Sequence, residues 1–328
     1  MASTKDVLLH WALGLALIGI AIFVGMSLLL MDTEAATNQV SISNAAPTFV
    51  ADPEIANTEE GTETYSSGTI SNIISGSSRD IYVKGQVEDL NGAEDIDYVK
   101  VNFYRSDTDC SSATDRDMNT CYYRDATTDP LRCSYSSVEG NENRVAYTCR
   151  FTLYSWIDAT DGDAGTDSDK HWVVSVYVED DDGLNATSPS RTVEIASTTG
   201  LDIPTSISFG TMSINSQTTT PVAQEITQQG NVAQDVTVRS SAAYFNCSNS
   251  TGGIPRENLH WSTNEVGWGS DGDTAISSTI VDTDLAVGKR VHEFIAPTKE
   301  LYWNIKIPSG VEGTCSSSVD VTAKNANL

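Results

Sequence analysis

The pattern of apolar and polar positions divides the chain into one long apolar run followed by many short β-type segments. Val7–Met31 is 25 residues long and contains no Asp, Glu, Lys or Arg. A helix of that length, rising about 1.5 Å per residue, can cross a hydrocarbon core of about 30 Å. The run therefore predicts an N-terminal membrane-type helix. A cleaved secretory signal is the alternative, although its apolar region is usually only about 7–15 residues long.

The residues flanking this run indicate its orientation. Lys5 precedes it, and no further Lys or Arg occurs until Arg79. The positive-inside rule then places the N-terminus in the cytoplasm and the rest of the chain outside. The small polar residues 32–45 predict a stalk.

Beyond the stalk, short alternating or β-branched runs separated by turn residues predict strands. Tyr98–Tyr104 and Trp172–Val178 alternate clearly, so that one face of each lies in a core and the other in water. No convincing amphipathic helix interrupts the series, and Ser197–Gly200 forms a linker. The sequence therefore predicts an all-β fold of two tandem immunoglobulin-like antiparallel β-sandwiches, over residues 46–197 and 198–328. The predicted strands are Thr48–Val50, Thr69–Ile74, Asp80–Glu88, Ile96–Tyr104, Arg132–Ser136, Arg144–Tyr154, His171–Glu179, Arg191–Ala196, Ser206–Gly210, Val222–Ile226, Val236–Val238, Arg290–Ile295, Leu301–Ile307 and Cys315–Ala323.

All six cysteines follow the apolar run, which indicates an oxidising exterior and disulfide bonds. Two of them lie symmetrically about a turn at residue 141 and would face each other across a hairpin. Another two bracket a polar loop, and the last two are alone in the second half. The predicted pairs are Cys110–Cys121, Cys133–Cys149 and Cys247–Cys315. Among the first four cysteines the two other pairings stay open.

The charge of the chain limits its partners. It has 45 acidic and 19 basic side chains, a formal net charge of −26. Such a surface repels nucleic acid and anionic head groups, and it attracts divalent cations. We therefore expect no nucleic-acid partner. Adaptation to high salt is another explanation of the acidity.

Two similar acidic segments predict a calcium site. Val87–Gly92 and Val178–Gly183 each close a strongly β-type stretch, and in an immunoglobulin-like sandwich their loops would meet at one end. Calcium takes six to eight oxygen ligands, which clustered carboxylates and amides supply. The alternative is that these are ordinary turn residues, since the spacing matches no EF-hand. The candidate ligands are Asp89, Asn91, Glu94, Asp95, Asp180 and Asp182.

Two further groups of polar residues are notable. A second acidic run, residues 158–169, predicts a solvated loop. It contains Asp158, Asp161, Asp163, Asp167 and Asp169. Three sequons could carry glycans, at Asn185, Asn246 and Asn249. Chance occurrence in a Ser/Thr-rich chain is the alternative for each sequon.

A resemblance to known proteins adds to this picture. The series Ile207–Gly210, Gln229–Val238, Gly253–Pro255 and Leu301–Gly310 resembles a C-terminal β-sandwich of uncharacterised, membrane-anchored surface proteins of small-genome bacteria and archaea. In those proteins an immunoglobulin-like domain similar to residues 89–106 precedes it. The resemblance covers about residues 45–325 and implies the architecture, but no established activity.

The sequence contains no catalytic signature. The four histidines are widely separated, and no HExxH pair, GxSxG elbow or phosphate loop is present. We therefore expect a non-enzymatic cell-surface structural or adhesion protein that contacts other surface proteins. A first alternative is a subunit of a pilus-like filament, in which the helices Val7–Met31 of neighbouring copies pack through small residues. A surface hydrolase is a second alternative.

Overall fold

The computed structural model describes residues 43–61, 65, 68–71, 73–110, 118–249, 252–291 and 295–327. The predicted helix Val7–Met31 and nearly all of the predicted stalk lie outside these ranges. Among the described residues, no helix is long and apolar enough to cross a membrane. The described chain is all-β, apart from short 3₁₀ turns at Ala93–Asp95, Gly165–Asp167 and Arg256–Asn258.

Residues 44–197, here called the N-terminal half, form two sheets. One has the strand order β1-β4-β8-β7, with β2 also pairing with β4; the other has the order β3-β11-β9-β5-β6, with β10 also pairing with β9. All pairs are antiparallel except β3 with β11. The strands are β1 Thr48–Phe49, β2 Glu54–Ala56, β3 Thr69–Ile70, β4 Ser78–Glu88, β5 Ile96–Arg105, β6 Cys121–Asp125, β7 Cys133–Val138, β8 Asn141–Tyr154, β9 Trp172–Asp180, β10 Asn185–Thr187 and β11 Arg191–Ile195.

The two sheets enclose one apolar core, as in a β-sandwich. Alternate residues of β8 and β9 are buried, because successive side chains of a strand point to opposite faces. Phe103 of β5 lies across the core from Phe151 of β8, with 6.0 Å between ring centroids. Trp172 packs beside Phe103 at 4.7 Å. The alternation that predicted these strands thus also positions the core.

Residues 198–327, the C-terminal half, form three sheets, of five, three and three strands, around a second core. The strand orders are β12-β13-β20-β17-β18, β19-β14-β22 and β16-β15-β21. Each sheet contributes to this core, for example through Trp303, Val236 and Phe245. The strands are β12 Leu201–Asp202, β13 Val222–Gln228, β14 Gln234–Arg239, β15 Tyr244–Cys247, β16 Gly253–Pro255, β17 Leu259–Ser262, β18 Thr274–Ala275, β19 Val281–Asp282, β20 Thr298–Ile305, β21 Cys315–Ser316 and β22 Asp320–Asn325.

Several strand predictions for the C-terminal half are wrong. Ser206–Gly210 is irregular, and Cys315–Ala323 divides into β21 and β22. Of Arg290–Ile295, the described residues are also irregular, and 292–294 lie outside the described residues. The short strands β15, β16 and β17 were not expected, because each is only three or four residues long, and β15 and β17 also pair with the distant strands β21 and β20.

Two of the three disulfides join paired strands, and the third joins Cys110, in the loop after β5, to the start of β6. Cys133 lies opposite Cys149 in the pairing of β7 with β8, and Cys247 lies opposite Cys315 in the pairing of β15 with β21. All three predicted pairs are bonded: Cys110–Cys121, Cys133–Cys149 and Cys247–Cys315.

The two halves belong to one compact unit, Asn44–Leu328. The linker, residues 197–200, is held by hydrogen bonds to side chains further along the C-terminal half. The Thr198 amide donates to Asn231 Oδ1 at 2.7 Å, and the Gly200 amide donates to Gln234 Oε1 at 3.0 Å. The backbone also bonds directly across, from Gly76 N to Gln229 O at 3.0 Å. Gly230 is required here, because a Cβ atom at this position would lie 2.1 Å from Thr198 O.

A cluster of ion pairs, which we call the junction cluster, lies at the same interface. It consists of Arg105, Asp158 and Asp167 from the N-terminal half and Lys289 from the C-terminal half. Lys289 Nζ lies 3.0 Å from Asp158 Oδ1 and 2.6 Å from Asp167 Oδ2. Arg105 contacts both carboxylates from the other side. The Asp158 side chain is only 1% exposed, so burial there depends on these cations.

The junction cluster corrects the expectation that residues 158–169 form a solvated loop. Asp158 is buried, and Asp167 pairs with both cations. Asp161 accepts hydrogen bonds from the amide and hydroxyl of Ser197 at 2.7 and 2.6 Å. Ala159 and Ala164 pack against Val232 of the C-terminal half. Asp163 and Asp169 are exposed, as expected of a solvated loop, whereas Asp158, Ala159, Ala164 and Asp167 form an interface between the halves.

Replacing Lys289 tests whether the junction cluster holds the halves together. Lys289→Met leaves buried Asp158 with Arg105 alone, and we expect a loss of about 2 kcal/mol in the free energy of unfolding, measured by denaturant titration. Lys324→Met is the matched control, because Lys324 pairs with Asp282 at the surface. Its effect should be much smaller. Equal losses in the two variants would contradict the role of the cluster.

Candidate metal centre

Three carboxylates converge at the end of the N-terminal half that lies opposite the junction. Asp89 follows β4, Asp95 precedes β5, and Asp180 ends β9. Each offers one oxygen, and these oxygens all lie within 4.8 Å of one another. We call this group the acidic pole.

The pairing of strands explains why these residues meet. Ile96 lies opposite Asp180 in the antiparallel pair of β5 and β9, which places Asp95 beside the end of β9. The loop from β4 to β5 crosses between the two sheets and brings Asp89 to the same place. Gly92, with φ of +132°, permits the turn in that loop.

The hydrogen bonds of the acidic pole leave two buried oxygens without a partner. Asp180 is satisfied, since Oδ1 accepts from the Leu184 amide at 2.7 Å and Oδ2 accepts from Asn44 Nδ2 at 3.0 Å. Asp89 is 1% exposed, and its Oδ1 accepts from the Asn91 amide at 2.8 Å. In contrast, Asp89 Oδ2 and Asp95 Oδ2 are buried and have no hydrogen-bond partner among the described residues.

The electrostatics of the acidic pole disfavour three bare carboxylates. The interaction with the neighbouring Asp181 carboxyl is the largest of the effects that raise the pKa of Asp95 to about 6; burial and the charges of Asp181, Asp89 and Asp180 add to it. Burial is the main cause of the raised pKa of Asp89. None of the ion pairs among the described residues includes Asp89, Asp95 or Asp180.

The structure thus brings together three of the six predicted ligands. Asn91 lies beside them, but its side-chain oxygen accepts from the Ala45 amide at 2.8 Å. Glu94 and Asp182 are exposed and do not belong to the group. Asn44 and Asp181 were missed as neighbours of the site. The run Asp180–Asp182 carried a signal for Asp181, whereas nothing near Asn44 in the sequence pointed to Asp180.

The remaining predicted site residues lie elsewhere. The three sequon asparagines, Asn185, Asn246 and Asn249, are exposed. The sequence analysis did not predict the pair of His260 and Asp273, because it considered only histidines that lie close to one another in sequence. His260 Nδ1 lies 2.7 Å from Asp273 Oδ2, which also accepts from the Gly269 amide. The pair holds the loop between β17 and β18 in place.

Comparison of the chain with known protein families found no matching family, and a search of curated proteins found no significant match.

The raised pKa of Asp95 makes a prediction for protein kept in chelator. A carboxyl whose pKa is raised from 3.8 to about 6 stays protonated longer in the folded state, so its contribution to stability falls as pH rises through this interval. Asp95→Asn removes this titration. We expect the variant to unfold at a higher temperature than the wild type near pH 7.5, and to lose that advantage near pH 4.5.

Asp97→Asn is the control for this measurement, because Asp97 is exposed and lies two residues from Asp95. Its melting temperature should differ from the wild type by the same small amount at both pH values. An advantage of Asp95→Asn that does not change with pH would contradict the assignment.

Proposed function

We propose that the chain is a non-enzymatic cell-surface protein that is anchored by Val7–Met31 and projects two immunoglobulin-like β-sandwiches toward other surface proteins. In this proposal the N-terminus lies in the cytoplasm, and the protein is related in architecture to the membrane-anchored surface proteins that its sequence resembles. The helix Val7–Met31 contacts the membrane.

The observation that carries the proposal is the junction between the halves. Side-chain hydrogen bonds hold the linker, and Lys289 lies between two carboxylates of the other half. A body built in this way resists bending at its middle, which suits a protein that projects a surface for contact. A hinge suited to domain closure around a substrate needs linker residues that can undergo large changes in φ and ψ.

The redox state and the charge agree with this location. Three disulfides indicate an oxidising extracellular environment. The net charge of −26 favours solubility at a crowded surface.

A filament subunit is the second candidate. The small residues Ala12, Ala16 and Gly19 within the apolar run favour close packing of like helices from neighbouring copies. In that arrangement the β-halves would form the outer sheath, and the helix would lie in a filament core instead of lipid.

Fractionation of native cells tests the proposal. We expect the full chain, with its apolar run intact, in the membrane fraction and released by detergent as a small species. A filament would be released by shearing and would pellet without detergent. Recovery of a soluble chain that lacks residues 7–31 would contradict the anchor.

A pair of variants separates anchor from filament. Gly19→Leu places a large side chain on the face of small residues, whereas Ile20→Leu keeps a large one. An anchored protein should fractionate identically in both variants. If Gly19→Leu abolishes a pelletable assembly and Ile20→Leu does not, the filament hypothesis replaces the proposal of a membrane anchor.

A further inference from the structure

We propose that Asp89, Asp95 and Asp180 bind one calcium ion at the acidic pole. This site is independent of the proposed function, since it depends on the geometry of these loops and not on the anchor or on a surface partner.

The donor set selects the kind of ion. All three groups are carboxylates, without histidine or cysteine, and such a donor set favours calcium, magnesium or manganese over zinc or copper. Oxygens within 4.8 Å of one another fit a common ion, because ligands 2.3–2.6 Å from a calcium ion lie within about 5 Å of each other. The site is built from loops, which suits the irregular geometry and higher coordination number of calcium better than the octahedron of magnesium. Water would supply the remaining oxygens.

The unpartnered oxygens show that turn formation alone does not explain the cluster. Asp89 and Asp180 use Oδ1 to cap the turns that follow them. That role requires one oxygen of each residue, and it leaves Asp89 Oδ2 buried without a donor on a side chain that is 1% exposed. An ionised carboxylate buried without a donor or a cation is strongly unfavourable. A bound cation satisfies this oxygen and the unpartnered Oδ2 of Asp95 together.

The ion would connect three segments of the chain. Asp89 and Asp95 flank the loop between the sheets, and Asp180 begins the turn after β9. Asn44 Nδ2 bonds Asp180, and the Ala45 amide bonds Asn91. The calcium ion would therefore hold the loops that bind Asn44 and Ala45, at the end of the N-terminal half farthest from the junction cluster.

Calcium titration of the purified full chain tests the site. After removal of metal with chelator, we expect isothermal titration to give one equivalent of Ca²⁺ bound, with a Kd of about 10⁻⁴ to 10⁻³ M, as in other extracellular modules. The double variant Asp89→Asn/Asp95→Asn should lose at least about 100-fold in affinity. Asp97→Asn should bind as the wild type does, because it removes one nearby charge without removing a ligand.

Melting curves separate lost binding from misfolding. In chelator the double variant should be at least as stable as the wild type, because it removes repulsion. With Ca²⁺ the wild type and Asp97→Asn should gain several degrees, and the double variant should not. If the double variant does not fold, the single variant Asp95→Asn takes its place in the titration and in the melting curves, because Asp95 is only half-buried.

Two results would overturn the proposal. The first is an equal gain from Ca²⁺ in the wild type and in the Asp95 variants, which would reflect general screening of the acidic surface. The second is an equal gain of the wild type from Mg²⁺ at the same concentration, which would remove the preference for calcium.

Discussion

Lys289 lies between Asp158 and Asp167, two carboxylates that belong to the other half of the molecule. Without it, buried Asp158 would keep only Arg105 as a counter-charge. Removing one partner of a buried ion pair leaves an uncompensated charge. The C-terminal half must therefore stay in position for the buried carboxylate of Asp158 to keep Lys289 as a counter-charge. Two further contacts accompany this docking. Side chains hydrogen-bond to the linker, and Arg290 Cζ lies 4.2 Å from the ring centroid of Trp156.

Buried or closely spaced carboxylates occur at both ends of the N-terminal half, but they are neutralised in different ways. Each end gathers carboxylates where strands terminate, about 30 Å apart along the nine residues of β9. At the junction, Arg105 and Lys289 neutralise Asp158 and Asp167. At the acidic pole the described residues provide no such cation to Asp89, Asp95 and Asp180, and this difference is the reason for placing a metal ion there. In a chain with 45 acidic and 19 basic side chains, cations supplied by solvent are the natural complement to those of the protein.

Sequence alone predicted those features that depend on local pattern. The alternation in Trp172–Val178 was enough for β9 and its buried face, and the symmetry of Cys133 and Cys149 about a turn gave their pairing. The meeting of Asp89 with Asp180 followed from assuming that two similar strand ends share one end of a sandwich. Features set by distant contacts could not be read in this way. Asp167 looks solvated until Lys289, 122 residues later, is placed beside it. The short strand β15 likewise acquires its partner β21 only when the fold is complete.

We infer that the two halves form one rigid body, and amide hydrogen exchange at the junction measures this most directly. The amide of Gly76, in the N-terminal half, donates to Gln229 O of the C-terminal half at 3.0 Å. We expect this amide to be protected to the same degree as amides in the centre of β9, because it opens only with the global structure. Exchange of the Gly76 amide at the rate of exposed loops, while β9 stays protected, would show that the halves move independently and would contradict the inference.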